Sequence, residues 1–150
     1  MLTRKGKYGL KALVELAGLP AGQTATISGI ALRNSIPKKF LDAILNELRN
    51  AGFVASRKGK LGGYMLARPP ENIQVGHVVR VLDGPLAPFP CASRTRYERC
   101  QDCDVETCQV RHIMLDVRNA IAEVLDRTSL AQMRVMGGAL LEDEPERRQA

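Results

Sequence analysis

Apolar residues recur at helical spacing through the first third of the chain and predict three helices. The first covers residues 4–18, with Thr3 placed to cap its start. A helix of about two turns follows, and Pro37 then suits the first position of a third helix, which Gly52 can end in a left-handed conformation. The stripe of the second helix consists of Ile27, Ile30 and Ala31, and that of the third of Phe40, Leu41, Ile44, Leu45 and Leu48.

The next segment changes to the pattern of a β-hairpin. Residues 53–57 and 64–67 have the composition of strands, and a basic, glycine-rich tip joins them. A short helix with apolar spacing follows over residues 75–82. Three helices and a two-stranded hairpin are the element order of a winged helix-turn-helix. We therefore predict a mainly α fold with a small β-hairpin wing (α+β).

The second half of the chain has a different organisation. Residues 84–106 show no periodicity and contain three prolines and three of the four cysteines, with the fourth just after them, which indicates a long functional loop. A long helix is predicted over residues 107–126, then a short one over residues 129–135. The expected divisions are a DNA-binding domain at 1–83, a cysteine-rich sensor loop at 84–106, a dimerisation helix region at 107–136 and a disordered tail at 137–150.

Composition and charge narrow the class of protein. The 150 residues are 45% apolar and 25% charged, as in ordinary globular proteins, and no apolar run reaches the ~20 residues of a membrane span. We therefore expect a cytoplasmic protein that does not contact a membrane. The net charge of +6 is unevenly spread, because residues 1–68 hold twelve Lys and Arg against three acids, whereas residues 69–150 hold ten Arg against thirteen acids. This asymmetry favours a polyanion as the partner of the N-terminal half.

The polar positions of the predicted winged helix suit double-stranded DNA. Lys38 and Lys39 lie in the first turn of the third helix, where the backbone N–H groups also favour phosphate. Asp42, on the exposed side of that helix, could accept a hydrogen bond from cytosine N4. The predicted DNA contacts are Lys5, Lys38, Lys39, Asp42, Arg57, Lys58, Lys60, Gly62 and Gly63. The alternative is a solvated basic face and an ordinary hairpin turn.

Four cysteines, Cys91, Cys100, Cys103 and Cys108, fall within 18 residues. A cytosolic chain keeps its thiols reduced, so a metal site or redox chemistry is favoured over disulfides. A structural zinc site usually has two close cysteine pairs, whereas here Cys100 and Cys103 form a single one. Iron-sulfur clusters, either 2Fe-2S or 4Fe-4S, accept looser spacing. Zinc, and free thiols without any cofactor, stay as alternatives.

Four segments of the chain closely resemble the Rrf-type winged helix-turn-helix transcriptional regulators. They are residues 3–8 (TRKGKY), 36–41 (IPKKFL), 48–54 (LRNAGFV) and 57–67 (RKGKLGGYMLA). The likeness continues at residues 73–79 and 128–130, so it covers roughly residues 1–135. This family includes an iron-sulfur cluster regulator, a nitric-oxide sensor and a repressor of cysteine metabolism. The resemblance implies a homodimer on a palindromic operator, with the long helix as the dimer contact.

The same resemblance implies that the loop cysteines hold an iron-sulfur cluster. Cluster-binding members generally use three cysteines, of which Cys91 and Cys108 match the outer two and Cys103 or Cys100 the middle one. Arg111 stands where some members have a non-cysteine ligand, and a permanent cation cannot ligate iron. The fourth ligand would then be the spare cysteine, His112 or a residue of the other subunit.

A dimer also follows from the long helix itself. Its apolar stripe is too long for so small a core to cover, and a second subunit would bury the remainder. The predicted dimer contacts are Val110, Met114, Val117, Ile121 and Val124.

No motif supplies a catalytic nucleophile with its base, and the glycine-rich run lacks the Lys-Ser/Thr of a phosphate-binding loop. We therefore expect no enzyme. The predicted function is a DNA-binding transcriptional repressor, controlled by an iron-sulfur cluster that senses iron-sulfur, oxygen, nitric oxide or redox status. The alternative is a cluster-free regulator of the same fold that responds to thiol oxidation or zinc.

Overall fold

A computed structural model describes residues 2–142, which form six α-helices and a two-stranded antiparallel sheet. The helices are α1 Arg4–Ala17, α2 Ile27–Asn34, α3 Lys38–Asn50, α4 Val75–Asp83, α5 Gln109–Arg127 and α6 Leu130–Glu142. The strands are β1 Val54–Arg57 and β2 Gly63–Leu66, and single 3-10 turns occur at Pro70–Asn72 and Pro90–Ala92. This order confirms the predicted winged helix-turn-helix followed by a long helix.

The helix ends lie where the capping residues indicate. Thr3 Oγ1 accepts a hydrogen bond from the backbone N of Gly6 (3.4 Å) and so caps α1. Gly52 follows α3 with a φ of +82°, in the left-handed region that glycine adopts without a steric penalty. The chain reverses there, and the backbone N of Phe53 donates to the carbonyl O of Leu48 (2.9 Å). This reversal leads directly from α3 into β1.

The core lies where α1, α2, α3 and α4 meet. Its largest fully buried side chains are Leu13, Ile30, Leu41, Ile44, Leu45, Leu48, Ile73, Val78 and Leu130. The apolar stripe predicted for α3 therefore faces inward and leaves the opposite side of that helix to solvent. The rings of Tyr8 and Phe40 pack edge to face, with 5.6 Å between centroids, and hold the start of α3 against α1. The position of α3 is thus fixed by packing along its whole length.

The β-hairpin is attached to the helical core at its base. The antiparallel pairing places Arg57 opposite Gly63, and Tyr64 and Ala25 exchange two backbone hydrogen bonds of 2.8 and 2.9 Å. Gly63 has a φ of +151°, and a Cβ there would lie 2.5 Å from the carbonyl O of Ala25. A glycine is needed at this position because any side chain would separate the hairpin from the segment before α2.

Helix α5 is tied to the winged helix through α4. Arg80 and Asp126 form a two-pronged ion pair, with Nη1–Oδ1 and Nη2–Oδ2 distances of 2.6 and 2.9 Å. The hydrogen bonds from Arg80 lower the pKa of the Asp126 carboxyl. Gly76 lies under this pair, and a Cβ there would meet Asp126 Oδ1 at 1.9 Å. Beyond α5, the backbone N of Leu130 donates to the carbonyl O of Ile73 (2.8 Å).

The apolar residues of α5 divide between two faces, where the sequence analysis predicted one stripe. Ile121, Ala122 and Leu125 pack against the core. Ile121, which was predicted as a dimer contact, thus packs against the core of its own protomer while its side chain stays partly exposed. Met114 is half-buried. The large apolar residues of α5 that stay exposed are Val110, Ile113, Val117 and Val124.

Helix α6 is longer than predicted. Residues 137–142 are helical, which corrects the prediction that a disordered tail begins at Gly137. Leu130 is fully buried and Met133 packs on the core, so tertiary contacts at the start of α6 outweigh the poor helix propensity of the two glycines that follow. The rest of the predicted tail, 143–150, lies outside the described residues. Within the described part of the chain, no helix combines the length and apolar character that crossing a membrane requires.

The Arg80–Asp126 pair predicts a pH-dependent stability. Because the pKa of Asp126 is lowered in the folded state, its contribution is present above the ordinary aspartate pKa of about 3.9 and is lost as the pH falls through the lowered value. Asp126→Asn should reduce the free energy of unfolding by about 0.5–1 kcal/mol at neutral pH, since the pair is partly exposed, and by a smaller amount at about pH 3, where the contribution is being lost. Urea denaturation at both pH values measures this.

Glu123→Gln is the matched control for that variant. Glu123 pairs with Arg127 (3.0 Å) on the same helix but is well exposed, so its loss should change stability little. An equal loss of stability for Asp126→Asn at both pH values would contradict the role of the charge.

Candidate functional site

The exposed side of α3 carries the polar residues that the sequence analysis selected. Lys38, Lys39 and Asp42 are all exposed. No side chain caps the start of this helix, where Pro37 occupies the N-cap position, and no acidic residue lies in its first turn. The first turn of α3 therefore combines two ammonium groups with uncapped backbone N–H groups, an arrangement that attracts phosphate.

Lys5, another predicted DNA contact, has a partner within the protein. Its Nζ lies 2.6 Å from Oε1 of Glu47, and both side chains are partly exposed. The pair connects α1 to α3 and offsets much of the charge of Lys5. Lys5 is therefore less available to a phosphate than the two lysines at the start of α3.

The hairpin presents a second basic group of residues. Arg57, Lys58 and Lys60 are exposed, and the apolar Leu61 at the tip is 82% exposed. The two predicted glycines lie where a side chain would not fit. Gly63 is needed at the hairpin base, and a Cβ on Gly62 would lie 2.5 Å from the carbonyl O of Arg57. Both glycines therefore shape the hairpin itself.

A segment before α2 supports this hairpin and was not selected from the sequence. Thr24 Oγ1 donates to the carbonyl O of Leu61 (2.9 Å), and the Arg57 guanidinium lies 3.4 Å from the carbonyl O of Gly22. A groove of about 390 Å³ lies between this segment and the hairpin. Because the segment is uncharged and has no periodicity, neither charge nor pattern could have identified it.

Three of the four cysteines lie together in the loop before α5. The Sγ atoms of Cys100 and Cys103 and a carboxylate oxygen of Asp102 all lie within 4.8 Å of one another. Cys103 also lies beside Cys108, and their interaction shifts the pKa of both thiols. We call Cys100, Cys103 and Cys108 the thiol cluster. Asp102 accepts a hydrogen bond from the Cys100 thiol (2.7 Å), which lowers the pKa of that carboxyl, and this acidic neighbour was missed by the sequence analysis.

The surroundings shift the pKa of two thiols of the cluster, Cys103 and Cys108, in opposite directions. Cys108 is the N-cap of α5, and the backbone N–H of Arg111 donates to its Sγ (3.4 Å), which lowers the pKa of this thiol. Interaction with Cys100, and to a smaller extent with Cys108, raises the pKa of the Cys103 thiol to about 12. These surroundings therefore favour a proton on Cys103 and a thiolate on Cys108.

Cys91 stands apart from this arrangement. Among the described residues it joins no group of three potential ligands at metal-binding distance. Its backbone is held by Arg111, whose Nε donates to the carbonyl O of Cys91 (2.9 Å), while Nη1 lies 3.4 Å from the carbonyl O of Val105. Arg111 thus joins the start of the loop to its end, a role that the sequence did not indicate. The neighbouring His112 is exposed, and its Nε2 lies 3.0 Å from the carbonyl O of Glu106.

The donor chemistry of the loop fits an iron-sulfur cluster. Thiolate sulfur is the ligand such clusters use, and the loop brings the thiols of Cys100 and Cys103 together, with Cys108 beside Cys103 and Cys91 earlier in the same loop. The same soft donors also suit zinc. The structure therefore brings Cys100 and Cys103 together, with Cys108 beside Cys103, whereas Cys91, the other predicted outer ligand, lies apart from them.

Comparison with known proteins gives a family model and related regulators. The family model Rrf2, described as an iron-dependent transcriptional regulator, matches residues 2–135. An rrf2-like HTH-type transcriptional regulator of Rhodobacter capsulatus is 43% identical over 150 residues, which cover 95% of this chain and 100% of the relative. The regulator CymR of Bacillus subtilis is 34% identical over 88% of each chain.

Solved structures agree with these relatives. The structure of CymR, the global cysteine regulator of B. subtilis, has a TM-score of 0.76 and 32% identity, covering 91% of this chain and 97% of CymR. The structure of T. potens IscR has a TM-score of 0.70 and 31% identity, covering 100% of this chain and 92% of IscR. These named relatives are transcriptional regulators and not enzymes, which confirms that part of the sequence analysis. The chain belongs to the Rrf2 family of transcriptional regulators.

Proposed function

We propose that this regulator binds a palindromic DNA operator as a homodimer and represses transcription, and that an iron-sulfur cluster in the cysteine loop controls its DNA binding. The observation that carries the proposal is the position of the thiol cluster, which lies in the chain segment between the winged helix and the long helix α5. A regulator of this kind works beside the DNA, which supports the cytoplasmic location expected from the sequence.

The basic residues of α3 and the hairpin support DNA as the partner. In a winged helix-turn-helix the third helix enters the major groove and the wing touches a neighbouring groove or the phosphates. Lys38, Lys39, Arg57, Lys58 and Lys60 are exposed on these two elements. Asp42, exposed on α3, is our candidate for a contact with a cytosine N4 amino group. Lys5 keeps a supporting role through its pair with Glu47.

The exposed apolar residues of α5 support a dimer. Val110, Ile113, Val117 and Val124 recur at spacings of three, four and seven residues, as on one side of a two-helix seam. Between 37% and 64% of each of these residues is exposed in the single protomer, so this apolar surface stays in contact with water unless a second subunit covers it. Pairing of two such helices would bring the two winged helices to half-sites about one DNA turn, ~34 Å, apart.

The ligands of the cluster would be Cys108, Cys103 and Cys91, with Cys100 as the spare thiol. An iron-sulfur cluster supplies a centre that oxygen or nitric oxide can alter. Cys91 follows the winged helix and Cys108 caps α5, so holding both on one centre would fix the angle between the two parts. Arg111 already bonds the backbone of Cys91 and of Val105, so it holds Cys91 near the end of the loop and shortens the movement that would bring Cys91 to the other ligands. A gain or loss of this constraint shifts a two-state equilibrium of the DNA-binding heads.

A second candidate, a cluster-free thiol switch, is supported by the proximity of Cys100 and Cys103. Reaction with a peroxide would join their sulfurs in a disulfide, with loss of two protons and two electrons, while the O–O bond of the peroxide is reduced. Two solved structures of Staphylococcus aureus CymR, one of them an oxidised form, are also similar to this chain, with TM-scores of 0.71 and 0.72.

The DNA interface is tested by salt dependence. Lys58→Ala should weaken operator binding and reduce the slope of log affinity against log salt by about 1.8, because the dimer loses one phosphate contact, worth about 0.9, from each subunit. Fluorescence anisotropy over a range of salt concentrations measures the slope. Arg127→Ala, which removes an equally exposed cation from α5, should leave the slope unchanged. Equal slopes for wild type and Lys58→Ala would exclude Lys58 from the interface.

The dimer is tested by charging the exposed face of α5. Val117→Glu should give folded monomers in sedimentation, with operator affinity lower by about 100-fold or more because two half-sites are no longer bound together. Val81→Glu places the same charge on an exposed valine of α4 and should stay dimeric. Ile121→Glu should instead lower the melting temperature, since Ile121 packs against the core. A wild type that sediments as a monomer at micromolar concentration would rule out the dimer.

The cluster is tested by colour and by iron and sulfide content after anaerobic reconstitution. Cys91→Ala, Cys103→Ala and Cys108→Ala should each abolish the visible absorbance, because each removes a ligand, and Cys100→Ala should retain it as the matched control. Operator affinity of the wild type should differ between loaded and cluster-free protein. A wild type that stays colourless, or equal affinities in the two states, would refute cluster control and favour the thiol switch.

A further inference from the structure

A cavity of about 380 Å³ lies between α4, α5 and the loop segment just after Cys91. This volume is within the range of about 300–1,000 Å³ that small-molecule sites occupy. Apolar side chains and three guanidinium groups contribute to its lining. The residues concerned are Pro85, Leu86 and Ala122 for the apolar part and Arg80, Arg94 and Arg118 for the cationic part.

Arg118 is the unusual member of this lining. Its side chain is 7% exposed, and its Nε is buried without a hydrogen-bond partner. Its Nη2 donates to the side chain of Asn119, and no ion pair of Arg118 occurs within residues 2–142. A buried guanidinium without an anion is costly, so natural proteins rarely keep one unless it is paired.

The residues around Arg118 add further positive charge and do not neutralise the charge of its guanidinium group. Burial, and then repulsion by Arg94 and Arg80, lower the pKa of the Arg118 guanidinium. The acidic residue of the lining, Asp126, is engaged by both prongs of Arg80. The cavity therefore has an excess of positive charge and guanidinium hydrogens with no acceptor.

We propose that this cavity is a binding site for a small anion, a carboxylate or phosphate group that accepts hydrogen bonds from Arg118 and Arg94. Planar guanidinium groups match the oxygens of such anions with two parallel hydrogen bonds. A short apolar remainder of the ligand would pack against Leu86 and Ala122. The site uses no cysteine and no residue of the DNA surface, so it stands independently of the function proposed above.

The position of the cavity makes the anion a candidate effector. It would touch α4 of the winged helix, the long helix α5 and the loop that joins them. A ligand in contact with all three favours one arrangement of these parts over others, and by linkage DNA and the anion would alter each other's affinity.

The test is calorimetric titration and thermal unfolding of the full chain with sodium butyrate and with inorganic phosphate. Butyramide, which has the shape of butyrate without the charge, is the ligand control at equal ionic strength. We expect saturable binding of at least one anion, and a rise in melting temperature of several degrees at about 100 times Kd, where the folding equilibrium shifts about 100-fold. The anion that binds identifies the head group.

Arg118→Met tests the residue. Methionine replaces a buried unpaired charge with an apolar chain, so the variant should be at least as stable as the wild type without ligand and should bind the anion at least ten times more weakly. Arg127→Met is the matched control, since Arg127 is on the same helix with a 79% exposed side chain, and should bind normally. The proposal is overturned if neither anion binds saturably, if Arg118→Met binds as well as the wild type, or if Arg118→Met alone becomes monomeric, which would mean that a second copy completes the Arg118 site.

Discussion

The attachment of α5 to α4 is the constraint on which the rest of the architecture depends. Arg80 and Asp126 hold the two helices at one point, and Gly76 allows the close approach because it has no side chain to fill the space. Ile121 and Leu125 then continue the contact into the core. While the C-terminal half of α5 is fixed on α4, its N-terminal half meets the cysteine loop, where Arg111 donates to the carbonyl O of Cys91. The exposed valines of α5 stay in solvent.

The loop between α4 and α5 consequently runs between two fixed points. Its first residues leave α4, and its last residue, Cys108, is the cap of α5. A thiol at a helix N-terminus is stabilised as the thiolate by the backbone N–H groups there. The chemistry of the loop and the direction of the long helix are therefore coupled at a single residue, so whatever binds or oxidises the thiol cluster acts on the end of α5.

Much of the fold could be predicted because helices of the winged helix have a single apolar face. Helix α3 has a single apolar stripe and a single glycine at its end, and both observations lead to the same boundaries. Helix α5 could not be predicted as well, since two apolar faces three or four residues apart merge into one stripe when the sequence alone is considered. Ile121, predicted as a dimer contact, also packs against the core, which the sequence did not indicate. The end of α6 was missed because Gly137 suggests a break, whereas a buried Leu130 anchors the helix through tertiary packing.

The two inward arginines of α5 illustrate what sequence cannot supply about a site. Arg111 and Arg118 are seven residues apart, hence on the same side of the helix, and the pattern of charges gives no reason to distinguish them. The fold distinguishes them by what each one reaches. Arg111 donates to carbonyl oxygens of the loop, which satisfy its hydrogens. Arg118 lies seven residues further along α5, where the cavity lining supplies more cations. A helix that satisfies a half-buried arginine with the backbone and leaves the Nε of a buried one without an acceptor has, at that second position, a place for an anion from outside the chain.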